Sequence, residues 1–100
     1  MKPGARYRSS VCETEIVIIR VPSVVDQLTC GSSVMVPLGE DAGPEAQLTE
    51  PEEGSAAVGK RYVDAETGLE VLCSKAGKGA LRFGGRILSQ KTAKPLPASD

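Results

Sequence analysis

The sequence predicts a small all-β protein built from antiparallel strands. Its apolar residues come in short β-branched runs divided by Gly, Pro, Ser and Asp, and no segment joins a helical apolar period to capping residues at its ends. With 100 residues, 40% apolar and 25% charged, the chain makes one globular domain at most and is too apolar to be a disordered one. Aromatic residues are scarce, only Tyr7, Tyr62 and Phe83 with no Trp, so the core must be assembled from Val, Ile, Leu and Ala. A core of that kind is small, and chains of this size gain from a metal, a disulfide or a second subunit.

In chain order, Glu15 to Val21 (EIVIIRV) is a β-branched run of strand length, and Pro22 ends it. Val34 to Leu38 is a second short strand, with Val24 to Leu28 a weaker candidate. Residues 39–59 hold Glu40, Asp41, Glu45, Glu50, Glu52 and Glu53 with no basic side chain and neither hydrophobic period, which reads as an acidic linker. Beyond it, Arg61 to Asp64, Leu69 to Cys73, Ala80 to Phe83 and Arg86 to Leu88 are four short strands. Their separators AETG, SKAGKG and GG are turn formers, so hairpins are expected, with positive φ at the glycines. The stretch from residue 91 to 100 has two prolines and little to bury, and reads as a flexible tail. The division is therefore 1–38, 39–59, 60–90 and 91–100. No spacing makes the second half a recognisable copy of the first, so no internal repeat is expected.

Charge is unevenly placed although the net is only −1. Residues 60–94 carry eight basic side chains against Asp64, Glu66 and Glu70, next to the acidic linker. Two solvated clusters are the default reading, because exposed pairs contribute roughly 0 to 1 kcal/mol each. Nucleic-acid binding is not expected from this basic segment, since single-strand binders add aromatic platforms and only Tyr62 and Phe83 are at hand. No stretch approaches the ~20 apolar residues of a membrane span, and MKPGARYRSS lacks the apolar core of a signal peptide, so a cytoplasmic location and no membrane partner are expected. The chain has no His, which removes the commonest general base and weighs against catalysis.

The three cysteines, Cys12, Cys30 and Cys73, are an odd number, which speaks against a disulfide framework. The segment from Tyr7 to Leu38, YRSSVCETEIVIIRVPSVVDQLTCGSSVMVPL, carries the first two. It resembles the desulforedoxin family, the rubredoxin-like knuckle also found at the N-terminus of desulfoferrodoxins, in which a Cys-x-x-Cys pair and a Cys-Cys pair bind iron or zinc. Tyr7 and Arg8 before the first turn, Leu28 before the second and Met35-Val36-Pro37-Leu38 after it fit that pattern, and Cys12 and Cys30 match one cysteine of each pair. Ser9 and Gly31 stand where the other two thiolates belong, and Glu13 stands where a glycine usually follows the first pair. The knuckle is degenerate, and one chain lacks the four sulfurs of a tetrathiolate centre.

Four readings of Cys12 and Cys30 follow. The site has decayed and both are small buried hydrophobes; two chains pool them into one four-sulfur zinc or iron site on a dimer axis; they form a local disulfide; or Glu13, Ser9 or water completes an open metal site. Cys73 lies in LEVLCSK on one strand face with Leu69 and Val71, which suits a core thiol; the alternative is a nucleophile activated by Lys75 or Lys78. Ala76-Gly77-Lys78-Gly79 lacks the spacing of a phosphate loop.

The architecture expected is thus a desulforedoxin-like β unit and a C-terminal β meander sharing one core, assembled as a homo-oligomer. Three functions compete. The leading one is a non-catalytic accessory or binding protein derived from a metal-binding fold, with no cofactor and with a protein partner. The second is a zinc or iron thiolate protein using Cys12 and Cys30 across a homodimer. The third is a small enzyme with a pocket between sheets, drawing its acid and base from Glu13, Glu15, Glu70 or a cationic Lys or Arg.

Overall fold

The structure, a computed structural model, describes residues 1–40 and 47–91. All regular structure in them is strand: β1 (Arg6–Arg8), β2 (Glu15–Arg20), β3 (Leu28–Cys30), β4 (Ser33–Val34), β5 (Val36–Pro37), β6 (Arg61–Val63), β7 (Glu70–Lys75), β8 (Leu81–Phe83), β9 (Arg86–Ile87) and β10 (Ser89–Lys91). They form two antiparallel sheets, one in the order β10-β6-β7-β2-β1-β5 and one in the order β4-β3-β8-β9. The all-β class expected from the sequence holds.

The expectation that the chain contains no repeat does not. Each half lays down the same five strands: the first pairs with the second and the fifth, and the third pairs with the fourth. The halves meet twice, through β2 and β7 in one sheet and β3 and β8 in the other. Both seams have symmetric register. Ile16 faces Cys73, Ile18 faces Val71 and Val17 faces Leu72, while Leu28 faces Phe83, Cys30 faces Leu81 and Thr29 faces Arg82. Val17 and Leu72, and likewise Thr29 and Arg82, are thus equivalent residues set opposite one another.

Equivalent hydrogen bonds recur in both halves. Ser9 N–H donates to Thr14 O at 2.8 Å and Asp64 N–H to Leu69 O at 2.9 Å; Met35 N–H donates to Leu28 O and Leu88 N–H to Leu81 O, both at 2.9 Å. The repeat is hidden because the loop joining β7 to β8 (residues 76–80) is two residues shorter than the loop joining β2 to β3 (residues 21–27).

One core serves both halves, as expected. Ile16, Ile18, Leu28 and Met35 from the first pack with Leu69, Val71, Leu81, Phe83 and Leu88 from the second. Each fully buried Ile, Leu or Phe contributes about 1.5–3 kcal/mol, so a core of this number of residues depends on both halves being present. Consecutive strands of the C-terminal half divide between the sheets, β7 in one and β8 in the other. Three strands escaped the sequence reading: β1, whose charged Arg6 and Arg8 flank a single Tyr; β3; and the all-exposed β10. Val24 to Leu28 is not a strand beyond Leu28 itself, and Val24 and Val25 are exposed.

The described part of the acidic stretch, residues 47–59, lies against the β scaffold. Leu48 N–H donates to Val11 O at 2.8 Å, Glu52 N–H to Lys78 O at 2.7 Å, and Ser55 bridges Ala80. Of the expected tail, Lys91 closes β10 and residues 92–100 lie outside the described ones, as do residues 41–46 of the linker.

Candidate thiol site

The turn from Ser9 to Thr14 connects β1 to β2, and Cys30-Gly31 opens the hairpin from β3 to β4. Pairing of β1 with β2 and of β3 with β8 brings these two turns to the same end of the molecule. Cys12 Sγ and Cys30 Sγ lie 3.7 Å apart, both as free thiols. The two residues singled out as the remains of a knuckle are therefore brought together.

The turn that holds Cys12 does so without a glycine. Ser9 Oγ accepts the N–H groups of Val11 and Cys12, both at 3.1 Å, which closes the turn by side chain. At the equivalent of Glu13, the other half uses Gly68 with a φ of 80°. Cys12 Sγ is also 3.3 Å from Ser9 Oγ and 3.2 Å from Thr14 Oγ1, and Gly79 N–H donates to it at 3.4 Å.

The loop from β7 to β8 of the opposite half caps both sulfurs. A β-carbon on Gly77 would clash with Thr14 Oγ1 and meet Cys12 Sγ at 2.9 Å; one on Gly79 would meet Cys30 Sγ at 2.6 Å. These glycines are there for close backbone approach to sulfur, not for the positive φ that a hairpin turn would require. At Gly84-Gly85, by contrast, φ values of 60° and 82° confirm the hairpin reading.

Electrostatically the two thiols differ. Burial alone raises the Cys12 thiol, but hydrogen bonds from Ser9, from the side chain and backbone of Thr14, and from Gly79 overcome it and hold its pKa at about 6. Cys30 has no exposed surface; burial and the charge on neighbouring Cys12 push it up to about 12, against smaller opposing contributions from Ser9 and Thr14. The first proton leaves the pair from Cys12, and the second stays on Cys30 at neutral pH.

A cleft of about 260 Å³ opens beside Cys12, lined also by Glu13, Gln47, Leu48, Gly77 and Lys78. Beside Cys30, the space on the side-chain direction of Gly31 is filled: a β-carbon there would lie 2.8 Å from Leu48 Cδ1 and 2.9 Å from Val11 Cγ2. Among the described residues, no group of three or more Cys, Asp or Glu side chains is placed to hold a metal ion.

The equivalent corner of the second half carries different chemistry. Asp64 stands in for Ser9, Thr67 for Cys12 and Phe83 for Cys30. Arg86 donates to Asp64 at 3.2 and 2.8 Å and pairs with Glu66 at 2.7 Å, and Thr67 Oγ1 donates to Asp64 at 2.7 Å. A carboxylate, a hydroxyl and a guanidinium fill the corner that holds two sulfurs in the first half.

Of Cys73, Lys75, Lys78, Glu15 and Glu70, Lys78 alone lines the cleft beside Cys12. Cys73 is fully buried with Leu69 and Val71, as its strand pattern predicts, and its Sγ donates to Lys75 O at 3.2 Å; burial raises its pKa. Lys75 and Lys78 are exposed. Glu70 is buried between Lys91 at 3.1 Å and Arg61 at 3.3 Å, and Glu15 is half-buried on β2. Tyr62 and Phe83 are buried, so neither presents a stacking face. No motif names Thr14 or Leu48 as site residues, and Gly77 and Gly79 read as turn glycines; the one available signal for their role is a Gly-x-Gly in the shorter of two equivalent loops. Comparison with protein-family models, with curated proteins and with solved structures finds no match.

Proposed function

We propose that the chain works through Cys12 and Cys30 as a two-thiol exchange site, with Cys12 the attacking sulfur and Cys30 the resolving one. The observation that carries this is the 3.7 Å separation of one thiol on a cleft from one that is fully buried. Closing to a disulfide of about 2.05 Å asks each sulfur to move by less than about 1 Å, within the reach of side-chain rotation. Gly79 N–H donates to Cys12 Sγ, and the Ser9 and Thr14 hydroxyls within 3.3 Å of it are free to turn as donors, which favours the thiolate, the form that exchanges.

A zinc or iron thiolate site shared with a second chain is favoured by the same distance. Two sulfurs on a tetrahedral metal with bonds of about 2.3 Å are about 3.8 Å apart. Thr14 Oγ1 at 3.2 Å and Ser9 Oγ at 3.3 Å from Cys12 Sγ are the nearest further oxygens in this chain, and two more sulfurs would come from the partner. The accessory-protein reading assigns the two thiols no chemistry.

One set of measurements on the purified full chain separates the three. Exchange predicts that a glutathione redox buffer converts the protein to a form lighter by about 2 Da carrying a Cys12–Cys30 disulfide, and that Cys30→Ser traps a mixed disulfide on Cys12. Half an equivalent of zinc or iron per chain, lost on Cys12→Ser, would instead establish the shared metal site. Neither disulfide nor metal would leave the accessory reading standing.

A further inference from the structure

Resting on that exchange reading, we propose that the oxidant reduced at Cys12 is a small disulfide carrying amino and carboxylate groups, of the cystine class. The cleft beside Cys12 holds one side chain of each charge, Glu13 and Lys78, with Leu48 as its apolar wall. A substrate ammonium is matched by Glu13 and a substrate carboxylate by Lys78, leaving the methylene and sulfur to lie along Leu48 towards Cys12 Sγ. The walls are fixed by hydrogen bonds. Gln47 Nε2 donates to Ser10 O at 3.1 Å, Leu48 N–H to Val11 O at 2.8 Å, Lys78 Nζ to Thr49 O at 3.2 Å, and Glu52 N–H to Lys78 O at 2.7 Å. At about 260 Å³ the cleft is below the range that takes drug-sized ligands, and it suits a molecule of amino-acid scale.

The step balances without a cofactor. Cys12 thiolate attacks one sulfur of the small disulfide, its S–S bond breaks, and one amino-acid thiolate leaves and takes a proton from water. Cys30 then attacks Cys12 Sγ, the mixed disulfide breaks, and the Cys30 proton passes to the departing amino-acid sulfur, which leaves as the second thiol. The protein is left as the Cys12–Cys30 disulfide, oxidised by two electrons, and the substrate disulfide is reduced to two thiols. An external dithiol restores the reduced pair by the same exchange.

The test follows oxidation of the reduced full chain by cystine and by the uncharged hydroxyethyl disulfide, each rate divided by that of free dithiothreitol with the same oxidant. Cystine should be favoured, and Glu13→Gln and Lys78→Gln should each slow it by about three- to tenfold while changing the hydroxyethyl disulfide rate less than about twofold. Equal normalised rates, variants that slow both oxidants alike, or a faster reaction with a protein disulfide would overturn the substrate assignment alone. If no disulfide oxidises the pair, the exchange reading itself is lost.

Discussion

A β-carbon on Gly79 would stand 2.6 Å from Cys30 Sγ, well inside a tolerable carbon–sulfur contact. It would also lie 2.9 Å from Gly31 N, so neither backbone nor sulfur can yield cheaply. Gly79→Ala is therefore expected to lift the 76–80 loop from the thiols and to destabilise the protein by about 1–3 kcal/mol, read as a lower urea midpoint. Cys30 should become open to alkylation in the same variant. Gly85→Ala is the control: nothing lies within 4 Å, and its φ of 82° alone predicts a loss of about 1–2 kcal/mol with Cys30 still protected. Equal alkylation of Cys30 in the two variants would remove the loop's role as a cap.

Three thiols should react with a chromogenic disulfide in denaturant but only one quickly in the native protein, because Cys30 and Cys73 have no exposed surface. The native alkylation rate of Cys12 should rise with pH through an inflection near its pKa of about 6. Removing the Ser9 hydroxyl takes away one of the bonds that favour the thiolate. Ser9→Ala should move the inflection upwards, and it should also destabilise the turn, since Val11 and Cys12 N–H both lose their acceptor. An unmoved inflection would mean that Thr14 and Gly79 hold the thiolate unaided.

Most of the strands were legible because their burial is local: EIVIIR declares itself by β-branched content, and EVLCSK by the alternation that puts Val71 and Cys73 on one face. The repeat was not, because what the halves share is a backbone plan with few identical side chains. Arg6-Tyr7 with Glu15 recurs as Arg61-Tyr62 with Glu70, and Leu28 with Gly31 recurs as Leu81 with Gly84, but the offset changes from 55 to 53 between these sets. The 3.7 Å approach of Cys12 to Cys30 is set by strand pairing, since β1–β2 and β3–β8 bring their turns together, and residue spacing alone does not fix that. The cap was not legible either, since a glycine needed for room and one needed for positive φ look alike in a sequence. The partners of the basic residues were likewise hidden, because they are set by strand register: Arg61 reaches Glu70 from the adjacent β6, and Lys91 reaches it from β10 on the far side of β6.

Cys73 tests the core without touching the cleft. Cys73→Ala leaves space where a buried sulfur faced Ile16 across the central seam, and should destabilise the protein by about 1–2 kcal/mol. The rate of Cys12 oxidation should be unaltered. A slowed oxidation in this variant would bring Cys73 into the exchange, contrary to the roles assigned to Cys12 and Cys30.

Asp64 makes stability fall in acid. Arg86, then Thr67, hydrogen-bond its carboxylate and hold its pKa at about 2, against 3.8 for the free side chain; Glu70, buried beside Lys91 and Arg61, is lowered as well. A carboxyl whose folded pKa is depressed binds its proton more weakly in the native state than in the unfolded one. Its contribution is therefore complete above about pH 5, is lost as pH falls towards about 2, and does not change between about pH 5 and neutrality. The shift at Asp64 corresponds to about 1–2 kcal/mol once discounted for the solvent-facing half of the pair, Arg86 being 39% exposed. Asp64→Asn should flatten the urea midpoint between about pH 5 and 2 by that amount, and Arg86→Ala should destabilise at pH 7 by more than Asp64→Asn because it leaves a buried carboxylate unpaired. If both variants keep the acid slope of the parent, the carboxylate–guanidinium corner does not do in the second half the holding that the first half assigns to its sulfurs and hydroxyls.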